Sequence, residues 1–229
     1  MEFRSRRDSS ALPYVQTFDL PNNRGRINLI SGHPSINGSA NALFRKYQEQ
    51  AACGEIQFRR WPLRTHKCRG QLLSNYFSQN TGAPYQYIGG AERTTPLEEG
   101  ATAVLGALDL IKHRIATSMG IDAPFNEVLS AAYMERQRMA FHSDSERGLG
   151  PIVASLSLGS VAEMHFRLHA KYTVTEGNRK VAMSLVLRHG DVLVMEGAGV
   201  QEYYEHAVVP KNFRIVATAR FISPENYTT

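Results

Sequence analysis

From residue 125 onward, the chain is a series of short segments in which apolar and polar residues alternate, separated by turn residues. Alternation with a period of two indicates half-buried strands, and Gly-containing turns at 176–178 and 189–191 join neighbouring segments. Many short, evenly spaced strands of this kind are typical of a jelly roll or a barrel. The predicted strands are 127–133, 139–143, 152–158, 163–168, 181–187, 192–195, 206–209 and 213–222.

Two helices are predicted ahead of these strands. Residues 39–52 begin at Ser39, a good N-cap, and end before Gly54. Residues 97–119 carry one apolar stripe and end before Gly120; the stripe consists of Ala101, Val104, Leu105, Leu108, Ile111 and Ile115. A helical layer followed by many strands predicts an α+β fold, a jelly roll with helices packed on one side.

The N-terminal part of the chain has less pattern. Residues 1–25 are polar, basic and without periodicity, which predicts a mobile arm followed by one domain over 26–229. Within that domain, 26–31 and 56–63 are interpreted as further strands and 71–90 as a loop-rich segment dense in tyrosine.

Composition excludes some classes of protein. The 229 residues contain no window approaching the roughly 20 apolar residues of a membrane span. The first residues lack the apolar core of a signal peptide, so we expect an intracellular protein, nuclear or cytoplasmic. Cys53 and Cys68 have neither a metal-finger nor a redox spacing and are interpreted as reduced thiols.

The net charge of +5 and the pI of about 9.3 permit a polyanionic partner without requiring one. Residues 58–69 contain five cations and no acid, interleaved with Phe58 and Trp61. Cations beside aromatic rings suit phosphates and bases, whereas the alternative is an exposed strand with solvated arginines.

A candidate metal site lies in Phe141-His142-Ser143-Asp144 together with Tyr204-Glu205-His206. His142 and Asp144 are two residues apart, so on a strand they project to the same face. Two imidazoles and one carboxylate on one face of Fe(II) leave the opposite positions open for a small chelator and O₂. A bare His-x-Asp is weak evidence, and the later motifs strengthen it.

The last predicted strand carries two arginines on one face. Period two places Arg214, Val216, Thr218 and Arg220 together, opposite an apolar face. A buried guanidinium is costly unless it is paired, and a carboxylate is its best partner. A bound dicarboxylate would supply that partner, although six residues of strand span about 20 Å, so both arginines would have to lean toward one ligand. The alternative is that one or both pair with the protein's own acids.

Several motifs follow one another in a specific order. They are Phe125-Asn126-x-x-Leu129-x-x-x-Tyr133, His142-Ser143-Asp144-Ser145-Glu146, Ala154-Ser155-Leu156-Ser157-Leu158-Gly159, Phe166-Arg167, Gly190-Asp191, Tyr204-Glu205-His206 and Arg214-x-x-x-Thr218-x-Arg220. In this order the sequence resembles the AlkB-like Fe(II)/2-oxoglutarate-dependent dioxygenases from about residue 63 to 222. The resemblance implies a double-stranded β-helix, with Fe(II), 2-oxoglutarate and O₂ as cofactor and cosubstrates.

The resemblance also implies roles for individual residues. The iron ligands would be His142, Asp144 and His206, which form the catalytic centre. The residues that hold 2-oxoglutarate would be Tyr133, Arg214 and Arg220. The contacts to a target base would come from Tyr76, Tyr85, Tyr87 and Glu146, although ordinary loop packing is the alternative for the tyrosines.

The implied reaction is oxidative N-demethylation of methylated bases in DNA or RNA, releasing formaldehyde, succinate and CO₂. The expected partner is single-stranded or locally opened nucleic acid, with no membrane. Three positions depart from the usual family pattern: Ala131 and Val216 replace asparagines, and Ala162 replaces an arginine. These departures keep open an alternative substrate, a small molecule or a protein side chain.

Overall fold

The computed structural model describes residues 14–31, 37–61, 73–84, 94–144, 148–173 and 180–224. Its helices are α1 (Gly38–Ala52), α2 (Thr102–Met119) and α3 (Ala198–Tyr203). Its strands are β1 (Tyr14–Asp19), β2 (Arg26–Ser31), β3 (Phe77–Gly82), β4 (Thr94–Thr95), β5 (Glu127–Tyr133), β6 (Met139–His142), β7 (Leu149–Gly159), β8 (Ala162–Leu168), β9 (Met183–Leu187), β10 (Val192–Glu196), β11 (Tyr204–Pro210) and β12 (Arg214–Ile222).

The described strands form two sheets. The large sheet has the order β1-β2-β10-β7-β12-β5-β3-β4, and the small sheet has the order β6-β11-β8-β9. Neighbours pair antiparallel except β3 and β4, which pair in parallel. Neighbouring strands are often far apart in sequence, as in a jelly roll. The predicted jelly roll with helices is therefore confirmed.

The large sheet lies between two apolar layers. On one face, α1 and α2 pack over side chains such as Ile215, Ala217 and Ala219 of β12. On the other face, Leu29 and Leu193 meet Phe166 of the small sheet. Since successive strand residues alternate between the faces, β12 turns its polar residues away from the helices and into the space between the sheets. This places the two arginines of β12 in the interior.

The sequence predicted most of these elements. Each of the eight strands predicted after residue 125 is present, with its ends within about three residues of the prediction. Helix α1 begins at Gly38 after Asn37 rather than at Ser39, and α2 ends at Met119 as predicted. The start of the second predicted helix differs, because Leu97–Glu99 forms a separate 3-10 turn before α2.

Four predictions about the first hundred residues need correction. The predicted arm is wrong for residues 14–25, because β1 pairs with β2 along its whole length. The loop-rich interpretation of 71–90 is wrong for β3, which pairs with β5. Within 56–61, a single bridge between Arg59 and Ser78 replaces the predicted strand, and the N-cap of α1 is Asn37. The prediction for residues 1–13 lies outside the described residues.

The turn between β1 and β2 holds α3 in place. Gly25 has a φ of +102°, and a Cβ there would lie 2.5 Å from the backbone oxygen of Glu196. The guanidinium carbon of Arg24 lies 4.4 Å from the ring centre of Tyr203. The hairpin that the sequence presented as an arm therefore fixes the helix that leads into β11.

Among the described helices, none is long and apolar enough to cross a membrane.

We predict that Gly25→Ala lowers the free energy of unfolding more than Gly54→Ala, although both glycines have positive φ. A positive φ costs an alanine about 1–2 kcal/mol at either position. Only Gly25 is closely surrounded, and overpacking there adds about 1–3 kcal/mol. Urea denaturation of the two variants measures the difference. Equal losses would contradict the role given to this turn.

Candidate metal centre

Three potential metal ligands come together between the sheets. His142 ends β6, Asp144 follows two residues later, and His206 lies on β11. His142 and His206 are direct partners in the register of these strands. One potential ligand atom from each of the three side chains lies within 4.8 Å of the others. The structure thus assembles two imidazoles and one carboxylate, a donor set that suits a divalent transition metal with open positions.

The ring of His142 is oriented by its own strand. Its Nδ1 donates to the backbone oxygen of Ala140 at 2.9 Å. This bond assigns the proton to Nδ1 and turns Nε2 toward the cluster, where it lies 3.9 Å from Oδ1 of Asp144. A carbonyl that holds the second nitrogen is the usual support of a metal-binding histidine.

Burial sets the protonation of His206 and Asp144. Loss of solvent lowers the pKa of His206 to about 3, helped by the neighbouring His142 and opposed by Asp144. Burial alone would raise the pKa of Asp144, but His206, Arg220 and His142 outweigh it and lower that pKa. At neutral pH the cluster therefore holds a neutral imidazole and an ionised carboxylate, the forms that bind metal.

Arg220 is balanced by the protein's own carboxylates. Its guanidinium makes two hydrogen bonds to Glu127, at 2.7 and 2.9 Å, and both side chains are fully buried. A third nitrogen, Nη1, lies 3.8 Å from Oδ1 of Asp144. The structure favours the ion pair within the protein that the sequence left open as an alternative. It also places Arg220 beside the three potential metal ligands.

Within the described part of the chain, Arg214 has no carboxylate hydrogen-bonded to it. It is 1% exposed and donates to the Oγ of Ser157 at 3.0 Å, while its Nε and Nη1 find no hydrogen-bond partner among the described residues. Burial lowers its pKa to about 10, with Tyr133 and Asp191 acting in the opposite direction. Arg214 is therefore still cationic at neutral pH. Its buried Nε and Nη1 donors face no acceptor among the described residues. Such donors fit an anionic ligand.

Tyr133 lies beside Arg214. The two residues are direct partners in the register of β5 and β12. The ring of Tyr76, which the resemblance assigned to the contacts with a target base, is buried against Tyr133 with ring centres 5.4 Å apart. Tyr76 therefore packs beneath the site rather than standing in solvent.

One cavity connects these groups. It lies between the sheets and is lined by the three potential ligands, both arginines and Tyr133. The remaining wall is mostly apolar; its residues include Leu129, Ala131, Met139, Val208 and Val216. A ligand in this cavity can reach both Arg214 and a metal ion held by the three potential ligands.

Two of the three departures from the family pattern face each other in this wall. Ala131 and Val216 are direct partners across β5 and β12. They pack with Tyr76 and Tyr133 as one apolar cluster. Ala162 is fully buried opposite Pro210 and Leu187 and is not part of the cavity wall. Ala131 and Val216 thus make one part of the cavity wall apolar, where the AlkB-like pattern of the resemblance has two amides.

Three of the predicted base-contacting residues, Tyr85, Tyr87 and Glu146, lie outside the described residues, as does Cys68. Cys53 is a free thiol.

Sequence reasoning missed three supporting side chains. Glu127 and Tyr133 are six residues apart on β5, so their side chains project to the same face of the strand. This spacing was a usable signal for an acid opposite Arg220. Ser157 sits across from Val216 on β7, and Gln201 lies on the unpredicted helix α3. Ser157 belongs to one of the ordered motifs, but neither its role nor that of Gln201 follows from the sequence, because both roles depend on contacts between distant segments.

Fold and site together define an iron-dependent oxygenase architecture, and comparison with known proteins gives the family. Residues 38–220 match the model of the 2OG-Fe(II) oxygenase superfamily. No curated protein was found to match the chain. The chain belongs to the 2OG-Fe(II) oxygenase superfamily, whose members use Fe(II), 2-oxoglutarate and O₂.

We predict that Glu127→Gln lowers the free energy of unfolding by about 3 kcal/mol, because it leaves the buried Arg220 without its counter-charge. Asp19→Asn is the control, since it removes an exposed acid whose ion pair with Arg26 is screened by water. Chemical denaturation of the metal-free proteins measures both. A loss for Glu127→Gln as small as that of the control would show that Arg220 does not depend on this pair.

Proposed function

We propose that the protein is an AlkB-like Fe(II)/2-oxoglutarate-dependent dioxygenase that removes N-methyl groups from nucleic acid bases. The observation that carries the proposal is one cavity that holds both a His-Asp-His cluster and a buried arginine, two of whose nitrogens find no hydrogen-bond partner among the described residues. A dicarboxylate whose keto acid end reaches the metal and whose far carboxylate reaches Arg214 accounts for both.

In this proposal, His142, Asp144 and His206 hold the iron. The donor set fits, since it combines two nitrogen ligands and one oxygen ligand on one side of the ion. The low pKa of His206 keeps its ring nitrogen available at neutral pH. Arg220 and Glu127 act behind Asp144, where the guanidinium stabilises the charge of the ligand carboxylate.

Arg214 and Tyr133 hold 2-oxoglutarate. Nε and Nη1 of Arg214, which meet no acceptor in the described ranges, fit a carboxylate with two oxygens. Tyr133 is adjacent across the strand pair and is positioned to support the same carboxylate. The resemblance assigned Arg220 to the cosubstrate. Because its guanidinium already makes two hydrogen bonds to Glu127, we propose instead that it stabilises the charge of Asp144.

When bound, iron with 2-oxoglutarate and O₂ supplies the oxidising power to insert one oxygen atom into a C–H bond. The second oxygen atom leaves in succinate, with CO₂. On an N-methyl group, the product N–CH₂OH loses formaldehyde and leaves N–H. The protein's part is to exclude water with its apolar wall and to keep Asp144 ionised.

A nucleic acid substrate is supported by the ordered motifs and the basic balance of the chain. A net charge of +5 is compatible with a polyanionic partner. We propose Tyr85, Tyr87 and Glu146 as base contacts, and single-stranded or locally opened nucleic acid as the partner. Tyr76 is buried against Tyr133, so we propose that it supports Tyr133 rather than contacting a base directly.

A second candidate is oxygenation of a small molecule or a protein side chain. The facing pair Ala131 and Val216 favours it, because the cavity wall there is apolar where AlkB-like relatives carry amides. Added salt separates the candidates, since phosphate contacts weaken steeply with ionic strength and contacts to a neutral substrate do not.

Mass spectrometry of N-methylated single-stranded DNA and RNA oligonucleotides tests the proposal. The protein is incubated with Fe(II), 2-oxoglutarate and ascorbate, beside Asp144→Ala and the surface control Asp109→Ala. We expect loss of the methyl group with the wild type and Asp109→Ala, and none with Asp144→Ala. Succinate without any change in an oligonucleotide would favour the second candidate. Full turnover by Asp144→Ala would overturn the metal site.

We predict that Arg214→Met separates cosubstrate binding from stability. Methionine fills similar volume without burying an unpartnered charge, so the melting temperature of the ligand-free protein should stay or rise. The KM for 2-oxoglutarate should rise by about tenfold or more, since a charge-assisted contact of about 1.5–3 kcal/mol is lost. Metal affinity should hardly change.

The exposed variant Arg188→Met is the matched control for this experiment and should leave the KM for 2-oxoglutarate unchanged. An unchanged KM in Arg214→Met would move the carboxylate contact to another residue.

A further inference from the structure

The side chain of Gln201 bridges Asp144 and the interior of the large sheet. The backbone N–H of Asp144 donates to Oε1 of Gln201 at 3.0 Å. Nε2 of Gln201 donates in turn to Sδ of Met195 at 3.3 Å. Gln201 is 8% exposed and Asp144 is 5% exposed, so both hydrogen bonds are shielded from water. Both the oxygen and the nitrogen of the buried Gln201 amide therefore form hydrogen bonds.

Asp144 needs such a partner because it lies beyond the end of its strand. β6 ends at His142, and the ladder to β11 ends there as well. His142 is positioned by strand pairing, whereas Asp144 is not. A buried backbone N–H requires an acceptor, and Gln201 supplies one where the strand no longer can.

The position of Gln201 links two ligand-bearing segments. Gln201 lies on α3, which runs directly into β11, and His206 follows five residues later. The turn at Arg24 and Gly25 packs against α3; a Cβ on Gly199 would lie 2.7 Å from the backbone oxygen of Arg24. The helix is therefore fixed on its outer side, and its inner side can hold Asp144 at a set distance from His206.

We propose that Gln201 is a positioning residue that holds the backbone of Asp144 so that its carboxylate meets the metal together with His206. This inference rests on the proposed metal site. It goes beyond that site by assigning the geometry of one ligand to Gln201, which is not among the residues lining the cavity of the three potential ligands. Removing a residue that hydrogen-bonds to a metal ligand typically weakens metal binding by about 10–100-fold.

Titration with Co²⁺ under matched conditions tests the inference. Gln201→Leu keeps the volume but leaves the N–H of Asp144 without its acceptor, so Co²⁺ should bind about 10–100-fold more weakly. Met195→Leu keeps an apolar side chain of similar volume in the cavity wall and removes the other bond of Gln201, to a weak sulfur acceptor, so it should change Co²⁺ affinity by less than about threefold. Equal weakening in both variants would overturn the proposal, as would wild-type affinity in a folded Gln201→Leu.

A second measurement uses the unaltered protein and does not depend on the folding of a variant. Hydrogen exchange in the metal-free wild type should show the Asp144 amide protected, although it lies outside any strand. Rapid exchange of this amide would overturn the proposal. If Co²⁺ fails to bind even the wild type, the proposed metal site itself fails; if it binds wild type and Gln201→Leu alike, only the role of Gln201 fails.

Discussion

The buried guanidinium of Arg214 is the interaction on which the rest of the site depends. A cation removed from water costs several kcal/mol unless a counter-charge and hydrogen bonds replace the lost solvent. Ser157 supplies one hydrogen bond, and two nitrogens remain without a partner among the described residues. The fold therefore maintains a costly charge in the cavity that contains the His-Asp-His cluster. A bound dicarboxylate would repay that cost, which is why we place 2-oxoglutarate there.

The two arginines of β12 show how one strand can serve two purposes. They share a face, yet Arg220 is neutralised by Glu127 while Arg214 is not. Near the potential metal ligands, neutralisation of Arg220 by Glu127 stabilises the fold. It also directs a remaining nitrogen of Arg220 toward Asp144. At the other end, Arg214 keeps two nitrogens without a hydrogen-bond partner among the described residues, and these are left for a ligand. Charge balance, more than the presence of arginine, distinguishes the structural residue from the proposed binding residue.

Much of this arrangement follows from local pattern. Alternation predicts β5 to β12, and the His-x-Asp spacing marks His142 and Asp144 as joint ligands, although Asp144 lies past the end of β6 and is not placed by the strand. Other features depended on contacts between distant segments. The partner of Arg220 is 93 residues away, and Gln201 is 57 residues from Asp144. Segment 14–19 lacks an apolar face of its own and becomes a strand because β2 offers it an edge.

Binding of 2-oxoglutarate to the anaerobic protein, measured by calorimetry with and without Fe(II), tests the central claim most directly. Glutarate, which has the same two carboxylates but no keto group, is the comparison ligand. If one ligand spans the metal and Arg214, Fe(II) should tighten the binding of 2-oxoglutarate by at least about tenfold and hardly affect glutarate. Binding of 2-oxoglutarate that is indifferent to Fe(II), or no binding at all, would contradict the account.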